Sequence, residues 1–397
     1  MIYEPQEDSL LLQKAVQQYA KGKVLDLGTG SGIQAITAAQ KKNVTHILAV
    51  DVQKIAIAYC KEKYSFRKNK KKPIFLKKIT WLQSNLFSHI PKNKKFDTII
   101  FNPPYLPKDP GIQDRRIYGG KKGYELIEKA FQHINDYLTF DGYILLLFSS
   151  LTQQQKIEEI LFHHAMDFEK IREQHISFED LFVYKIEKNA IRKILEKKKY
   201  THIQYFTKGK RGFLYTAKKK QKKYVVKIKN PQSKAQNSIT NEARWLKLLN
   251  TKKIGPHYQE QGNNHVLYSF VPGTFIGEWI NQQNNKEKIK KVLISCLQQC
   301  RTLDLLKIDK EEMHHPFKHI IISKNKPVFL DFERCSKVKK PKNVTQFCQC
   351  ISYGLSDTLK TKKFFVDQKK MKELAQNYKE HYDKQAFDHI QHYLKTL

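Results

Sequence analysis

The sequence predicts a doubly wound α/β domain followed by a second domain of α+β type. Three observations lead to this fold class. Up to about residue 188, short apolar runs alternate with helix-like segments, which is typical of parallel strands covered on both faces. A glycine-rich turn follows the first apolar run directly, as at the ligand-binding edge of such sheets. Beyond residue 200 the order of helices and strands changes, and we find no internal repeat.

The elements of the first domain follow in order along the chain. Strands are predicted over residues 24–27, 47–50, 79–83, 98–101 and 143–148. Helices are predicted over residues 31–40, 55–64, 124–137 and 153–165. The stretch FEKIREQHISFEDLFVYKIEK should add two closing strands, the last one antiparallel, which makes seven strands in all. We therefore expect one domain over residues 1–188, a lysine-rich linker helix over 189–200 and a second domain over 201–397.

The charge of the chain is strongly positive. Lys and Arg number 73 against 38 Asp and Glu, a formal net charge of +35. Such an excess favours a phosphate-rich partner, so a contact of the basic surface with the ribosome or RNA is one expectation. The alternative is compositional drift in an AT-rich genome, because the excess is nearly all Lys, whereas RNA recognition favours Arg.

Cysteine usage and the terminus indicate a cytoplasmic location. The six cysteines form no paired CxxC array, which favours reduced, mostly buried thiols over a zinc or disulfide framework. The first residues, MIYEPQEDSLLL, are acidic where a signal peptide would be basic. The longest apolar run, residues 143–148, is far too short to cross a bilayer, so we expect no membrane partner.

The segment VLDLGTGSG, residues 24–32, is a strand that runs into a glycine turn and opens a helix. Gly28 and Gly30 allow backbone to approach a ligand closely. A glycine turn alone could bind a dinucleotide, but Asp26 would repel a pyrophosphate and suits a cationic α-amino group. The next strand ends in Asp51, where an acid can bind both hydroxyls of a ribose. A cationic amino acid joined to an adenosine without phosphate describes S-adenosylmethionine, which we predict as the cofactor.

The fourth strand ends in the segment Asn102-Pro103-Pro104-Tyr105. An amide or exocyclic amine nitrogen is a poor nucleophile, because its lone pair is delocalised. Its hydrogens must be accepted by fixed oxygens while the nitrogen is held in line with the methyl group. The Asn102 side chain and the Pro103 carbonyl can supply these acceptors, the prolines fix the backbone, and Tyr105 offers a flat face. Catalysis is then mostly positioning in a polar site.

Together these motifs resemble those of the HemK-like methyltransferases, which act on the glutamine amide of peptide-chain release factors. The resemblance covers nearly all of residues 1–188 and is closest to the archaeal and eukaryotic branch. It includes YEPQEDSLLL, VLDLGTGSG, AVD, QSNLF, FNPPYLP and GGKKGYELI. NPPY alone is shared with adenine and guanine methyltransferases of nucleic acid. The resemblance implies a class I methyltransferase fold and a release factor as the protein substrate.

The resemblance also implies which residues bind. It implies that the cofactor is contacted by Ser9, Asp26, Gly28, Asp51, Asn85 and Leu86, and that the last two lie beside its adenine. Asn102 would hold the substrate amide. The family usually has Asp where Asn85 stands, and because Asn lacks the charge, adenine binding should weaken but persist.

That branch usually requires a small zinc-binding activator subunit, which adds a strand to the edge of the methyltransferase sheet. The strand at residues 79–83, with Trp81 at its centre, would be this edge. An exposed apolar edge is a natural site of strand addition. The alternative is that the preceding basic segment, or the second half of the chain, covers the edge.

The second half carries the parts of a protein-kinase fold in order. Gly209 and Gly212 would lie at a hairpin turn, Lys227 on the following strand, Glu242 in a helix, and Asp331 after a buried strand. The segment VLYSFVPG would be the hinge. The order resembles small atypical archaeal kinases, whose two-lobed α+β fold binds ATP between the lobes. The resemblance implies that these five residues bind ATP and that Asp331 binds Mg²⁺.

The catalytic loop departs from that pattern. A kinase carries a catalytic Asp followed by a metal-binding Asn. In EMHHPFKHIII, His314 stands about where the Asp is expected and His319 where the Asn is expected. We therefore predict a degenerate or atypical kinase domain of uncertain activity.

Three functions remain open from the sequence. The first is methyl transfer to a release-factor glutamine. The second is the same chemistry on a nucleic-acid base or a protein lysine. The third makes the second half the main function, as an atypical serine/threonine kinase or an ATP-dependent binding module in translation.

Overall fold

The computed structural model describes residues 3–64, 73–108, 117–209, 212–229 and 238–397. The chain forms two compact units, Met1–Tyr205 and Phe206–Leu397. The first unit extends beyond residue 188 because the segment expected as a linker packs onto it. Its helix, α6 (Ala190–Lys197), buries Arg192, whose guanidinium donates to the carbonyl oxygens of His164 and Ile203.

The first unit is built on a seven-stranded sheet. Its strands are β1 (Gly22–Leu27), β2 (Val44–Asp51), β3 (Ile79–Gln83), β4 (Phe96–Phe101), β5 (Leu138–Ser149), β6 (Met166–Ile176) and β7 (Glu179–Lys188). Their order across the sheet is β3-β2-β1-β4-β5-β7-β6. The first five strands are parallel, and β7 runs antiparallel to both its neighbours. This is the class I methyltransferase fold, as predicted.

Helices cover both faces of this sheet, and a separate apolar core lies on each face. The remaining helices are α1 (Glu7–Tyr19), α2 (Ile33–Ala39), α3 (Lys54–Tyr64), α4 (Glu125–Ile134) and α5 (Gln154–His163). The sequence analysis did not identify α1. Leu11, Leu12, Ala15 and Val16 on its inner face are buried, at the spacing of an amphipathic helix.

The register of the sheet brings the predicted site together. Leu27, the last residue of β1, pairs with Val50 of β2 on one side and with Phe101 of β4 on the other. The residues that follow these strands therefore meet at one edge. The glycine turn, Asp51 and Asn102 lie at this carboxyl edge.

Strand β3 forms one edge of the sheet, where it pairs with β2. Ile79, Trp81 and Leu82 are half-buried there, and Ile74 just before the strand is 78% exposed. The basic segment that was the alternative cover for this edge includes residues 65–72, which lie outside the described residues.

The chain from Thr201 onwards forms a five-stranded sheet, a hairpin and helices, and the boundary between the units, after Tyr205, falls within the first of these strands. The strands are β8 (Thr201–Lys208), β9 (Gly212–Lys219), β10 (Lys222–Lys229), β11 (Tyr258–Gln261) and β12 (His265–Ser269), in the order β8-β9-β10-β12-β11. Two further strands form the hairpin β13 (Ile320–Ser323) and β14 (Lys326–Phe329). The helices are α7 (Ser238–Asn250), α8 (Ile276–Gln282), α9 (Lys286–Leu305), α10 (Asn343–Gln349), α11 (Ser356–Thr361), α12 (Gln368–His381) and α13 (Lys384–Thr396).

Two expectations from composition can be compared with this structure. All six cysteines are buried and free, as predicted. Among the described residues, none of the helices combines the length and the apolar character that crossing a membrane requires.

Candidate active site

The glycine turn leaves room for a ligand. Gly28 and Gly30 adopt positive φ angles of 80° and 51°. Among the described residues, a side chain at Gly30 would meet no atom within 4 Å, and one at Gly28 would meet only the Asn102 carbonyl oxygen at 4.0 Å. The backbone N–H groups of Gly28 and Thr29 both donate to the Val50 carbonyl at 2.8 Å, which fixes the turn to β2. The open space above the turn therefore belongs to the cavity.

Asp26 and Asp51 play different parts at this turn. Asp26 accepts from the Thr29 hydroxyl at 2.6 Å and from the Ala35 N–H at 3.1 Å, so it holds the turn and the start of α2 from below. It is not among the cavity-lining residues. Burial raises the pKa of Asp26 to about 7, against the opposing effect of these hydrogen bonds. A direct contact of Asp26 with the cofactor stays a prediction.

Asp51 lies at the end of β2 and lines the cavity. One of its carboxylate oxygens accepts from the Gly30 N–H at 2.9 Å, and the other from the Gln53 N–H at 2.8 Å. Each oxygen has a second lone pair, so the carboxylate is held in one orientation and can still accept from ribose hydroxyls.

The other cofactor residues predicted from the resemblance line the same cavity. Ser9 is buried in α1, and its carbonyl accepts from Gln34 Nε2 at 2.8 Å. Asn85 is exposed and Leu86 half-buried, with a positive φ of 49° at Leu86. Gln34, which the sequence analysis did not identify, also lines the cavity, and its Oε1 is buried without a hydrogen-bond partner among the described residues.

Asn102 is held by a residue that the sequence analysis missed. Its side-chain Nδ2 donates to Asp8 Oδ2 at 2.9 Å, and Tyr3 donates its hydroxyl to Asp8 Oδ1 at 3.0 Å. A carboxylate can only accept, so this contact sets which end of the Asn102 carboxamide is nitrogen. The other end, Oδ1, is buried and has no hydrogen-bond partner among the described residues. A fixed acceptor oxygen without a donor is what an incoming N–H group requires.

Two glycines support the NPPY backbone from behind. A side chain at Gly119 would lie 2.4 Å from the Pro104 carbonyl oxygen, and one at Gly123 would lie 2.3 Å from the Tyr105 carbonyl oxygen. Only glycine permits this backbone-to-backbone approach. Both glycines belong to the segment GGKKGYELI, one of the motifs that carry the family resemblance. The close packing of their backbone against NPPY explains why glycine is needed at these two positions of the motif.

A single cavity of about 430 Å³ joins the glycine turn to the NPPY segment. Its acceptor end, around Tyr105, is acidic. Burial raises the pKa of Tyr105, and the neighbouring carboxylates of Asp8, Glu179 and Glu7 raise it further. Glu7 and Glu179 line the cavity, and the sequence analysis identified neither.

These features fit S-adenosylmethionine. The turn offers the space that a methionyl–ribosyl group without phosphate needs, and Asp51 has carboxylate oxygens that can accept from its ribose hydroxyls. When bound, this cofactor supplies an electrophilic methyl group on sulfur. The fold and the site together define an S-adenosylmethionine-dependent class I methyltransferase.

Comparison with known proteins identifies the family. A family profile described as Methyltransferase small domain matches residues 6–174. Over 187 residues, the chain is 32% identical to a protein of Methanocaldococcus jannaschii that is named as a protein N5-glutamine methyltransferase, and the match covers 46% of this chain and 89% of that one. The chain therefore belongs, through its first unit, to the methyltransferase family of that protein.

Two bacterial relatives are named release factor glutamine methyltransferases. The one from Shewanella oneidensis is 33% identical over 140 residues, covering 32% of this chain and 45% of its own. The one from Fusobacterium nucleatum is 28% identical over 109 residues, covering 26% and 29%. The chain thus spans less than half the length of these two relatives. Among solved structures, the E. cuniculi Mtq2–Trm112 complex, described as responsible for methylation of the termination factor eRF1, matches with 25% identity and a TM-score of 0.37, over 47% of this chain and 99% of that one.

The second unit contains a buried cluster of charges around Lys227. Its Nζ lies 2.7 Å from Glu242 Oε2 in α7, 3.1 Å from Asp331 Oδ1 and 3.0 Å from Glu333 Oε2. Lys227, Glu242 and Asp331 thus lie together, and their binding of ATP stays a prediction. Ligand oxygens of the three acids lie within 4.8 Å of one another, a spacing that could hold a metal ion. Glu333 is a member of this cluster that the sequence analysis missed.

The charges of the cluster set its protonation. Although burial opposes it, the neighbouring Lys227 and Lys310 lower the pKa of Asp331 to about 2. Burial raises the pKa of Glu242 to about 7, partly offset by Lys227. Asp331 has a positive φ of 59°, so its carboxylate is presented from a strained turn.

The other residues singled out in the kinase-like half are the two glycines of the predicted hairpin turn and the two histidines of the predicted catalytic loop. Gly209 donates its N–H to the Gly212 carbonyl at 2.8 Å, and the two residues between them lie outside the described residues. His319 lies beside the cluster, with Nδ1 3.9 Å from Asp331 Oδ2 and Nε2 3.6 Å from Glu312 Oε2. His314 packs against the ring of His315 instead.

Proposed function

We propose that the first unit methylates the side-chain amide nitrogen of a glutamine in a peptide-chain release factor. The observation that carries this proposal is the Asn102 carboxamide. Asp8 orients it, and its buried Oδ1 has no donor among the described residues, at the edge of the cavity that begins at the glycine turn. A planar amide NH₂ offers the two hydrogens that such a site must accept.

The residues of this chain act by positioning. Asn102 Oδ1 accepts one hydrogen of the substrate amide and so fixes the plane in which its nitrogen lone pair is directed. The Pro103 carbonyl is the predicted acceptor of the second hydrogen. Tyr105 is half-buried and offers its ring to the flat amide group. When the amide nitrogen accepts the methyl group it becomes positive, and the carboxylate of Asp8 behind Asn102 stabilises this charge through the shared hydrogen bond. The nitrogen then loses one of its two hydrogens as a proton to solvent, which leaves a neutral N-methyl amide.

The acidic acceptor end favours a protein over a nucleic acid. Glu7, Asp8 and Glu179 surround Tyr105 closely enough to affect its titration. A nucleotide would have to bring its phosphates to this entrance, where like charges repel at short range. A glutamine side chain on a polypeptide brings no such charge. This observation also favours the amide over the base in the choice that the NPPY motif leaves open.

The experiment is methyl transfer from labelled S-adenosylmethionine to purified release factor, tRNA and DNA in parallel, with mass spectrometry of the product. We expect label on one glutamine of the release factor, and none after Asn102→Ala, which should still bind the cofactor. Label on nucleic acid alone, or an unchanged rate in Asn102→Ala, would reject the proposal.

We also propose that a small subunit adds to β3. The edge position of β3 and its half-buried apolar residues support this. Trp81→Glu on this strand should reduce activation by such a subunit without changing basal cofactor affinity, which titration calorimetry measures.

A second function is supported by the Lys227 cluster. We infer that the second unit binds a nucleotide with a divalent cation, through Lys227, Glu242 and Asp331. A cation in contact with Asp331 and a lysine that reaches phosphate are the two parts this chemistry needs. Phosphotransfer is not part of the inference, because the catalytic loop has histidines where a carboxylate and an amide are expected.

The test is binding of Mg-ATP to the full chain. Asp331→Asn, which keeps the Lys227–Glu242 pair, should weaken binding at least tenfold, and Lys222→Met on the exposed end of the same strand β10 should not change it. Lys227→Met serves as a second variant, although removing a buried cation from three acids also lowers stability by about 3–5 kcal/mol. Equal affinity in Asp331→Asn and Lys222→Met would contradict the inference.

A further inference from the structure

The hairpin between β6 and β7 places an unusual pair of side chains beside the active-site cavity. Ile176 and Glu179 form its last rung, and a two-residue turn, Ser177-Phe178, joins them. Phe178 is 92% exposed, more than any other large apolar side chain among the described residues. Single exposed apolar residues are common, so this exposure needs a second observation before it indicates a contact.

That second observation is the position of the hairpin. Ile176, Glu179 and Leu181 all line the cavity that contains Asn102. The carboxylate oxygen Oε2 of Glu179 is buried and has no hydrogen-bond partner among the described residues. An unpaired buried acceptor is costly unless a ligand supplies the donor. Glu179, at the base of the turn, therefore offers an unpaired carboxylate oxygen at the substrate end of the cavity.

The hairpin is held firmly in this position. His175 Nδ1 and Asp180 Oδ1 lie 2.8 Å apart across it. The Asp180 N–H donates to the Ser150 hydroxyl at 3.0 Å, which ties the hairpin to the turn after β5. That turn carries Leu151, a second exposed apolar side chain. The tip is thus a preformed contact surface, and its binding requires little ordering.

We propose that this hairpin docks the protein that carries the methyl acceptor, with Phe178 covered by an apolar side chain of that protein and Glu179 accepting an N–H from the residue beside the modified side chain. The inference rests on the proposed protein substrate and adds how it is recognised. The occupant is a polypeptide because Glu179 adds to the negative charge of Glu7 and Asp8 at this entrance, which suits N–H groups and basic side chains.

The two contacts predict different kinetic effects. Phe178→Ser should raise KM for the intact acceptor protein about 10- to 100-fold, as expected from losing burial of an aromatic ring. It should leave kcat and the Kd for S-adenosylmethionine within twofold of wild type, and should leave KM for a seven-residue glutamine peptide unchanged. Glu179→Gln should raise KM for both the protein and the peptide about fivefold, because Glu179 contacts the residue beside the modified one.

Matched controls are available on the same chain. Phe365→Ser removes another highly exposed aromatic ring, in the second unit, and Glu169→Gln neutralises an exposed acid elsewhere on β6. Both should behave as wild type. Equal KM values in Phe178→Ser and Phe365→Ser would overturn the docking proposal, as would an unchanged KM for the glutamine peptide in Glu179→Gln.

The experiment separates this inference from the proposed function. Wild-type enzyme is first assayed on release factor, and failure to label it rejects the release-factor proposal alone. The variants are then compared on whichever protein the wild-type enzyme labels in a total protein extract. If the wild-type enzyme labels no protein, the docking proposal is also rejected.

Discussion

Replacing Asp8 by Asn should reduce methyl transfer strongly while leaving cofactor binding intact. In the wild-type protein the Asp8 carboxylate can only accept, so Asn102 donates Nδ2 to it at 2.9 Å and directs Oδ1 elsewhere. An amide at position 8 can donate as well as accept. The Asn102 carboxamide could then turn over and offer an NH₂ group where the substrate needs an acceptor.

The size of the effect follows from the bond that is lost. A hydrogen bond to a charged group contributes about 1.5–3 kcal/mol. Since about 1.36 kcal/mol corresponds to a factor of ten in rate, kcat/KM should fall about 10- to 150-fold. The fold should persist, because the Tyr3 hydroxyl, which donates to the other oxygen of Asp8 at 3.0 Å, finds an acceptor in Asn as well.

The assay is transfer of labelled methyl to the acceptor that the wild-type enzyme modifies, together with the Kd for S-adenosylmethionine by calorimetry. Glu4→Gln, an exposed neutralisation in the segment just before α1, is the control and should stay within twofold of wild type. The reasoning is refuted if Asp8→Asn keeps the wild-type kcat/KM. It is also refuted if the loss is matched by an equal loss of cofactor affinity, because a displaced α1 would then be the cause.

Three further predictions concern the same unit. Burial raises the pKa of Asp26 to about 7, whereas an unfolded Asp titrates near 4, so the wild-type protein should lose stability as pH rises from about 4 to 7. Asp26→Asn should remove on the order of 4 kcal/mol of this loss. Denaturant titrations in which the difference in unfolding free energy between wild type and Asp26→Asn does not change with pH would contradict this. Gly119→Ala should lower kcat about 100-fold, because the new methyl group would press on the Pro104 carbonyl. Gly277→Ala should leave kcat unchanged, because its new methyl group would make ordinary contacts. Equal kcat values in the two variants would refute the steric argument. Asn85→Asp should tighten S-adenosylmethionine binding about 2- to 10-fold by adding a charge-assisted hydrogen bond, and an unchanged Kd would place the adenine elsewhere.

The position of the site at the carboxyl edge of the sheet was predictable from the sequence, because the motifs that indicate it are local. Gly28 and Asn102 each follow a strand directly and Asp51 ends one, and the turns that glycine and proline favour can be recognised without knowledge of distant contacts. Their meeting then follows from parallel pairing alone. The same reasoning placed Lys227 on a strand and Glu242 in a helix.

The residues that hold the site were not predictable, because they act across the fold. Asp8 contacts Asn102 over a sequence separation of 94 residues. In the sequence it is only one of several acids near the amino terminus, and the helix that carries it, α1, was itself not predicted. The steric role of Gly119 and Gly123 can be recognised only after the NPPY backbone is seen to lie against them. The hydrogen bonds of Asp26 were also not predictable: its carboxylate accepts from the Thr29 hydroxyl and the Ala35 N–H, and its contact with the cofactor stays a prediction.

The net charge of +35 and the acidic acceptor end act over different distances, so the first does not decide the substrate. At physiological ionic strength, charges are screened over about 8 Å. Surface lysines can therefore attract phosphate-rich partners to the molecule, but a group that reaches Asn102 enters a cavity that Glu7 and Glu179 also line. Attraction to the surface and acceptance into the cavity are thus separate steps with opposite preferences. RNA should accordingly bind in a salt-dependent manner without being methylated, and its binding should leave kcat on a glutamine peptide unchanged. Methylation of RNA at any salt concentration would show that the local carboxylates do not select the acceptor.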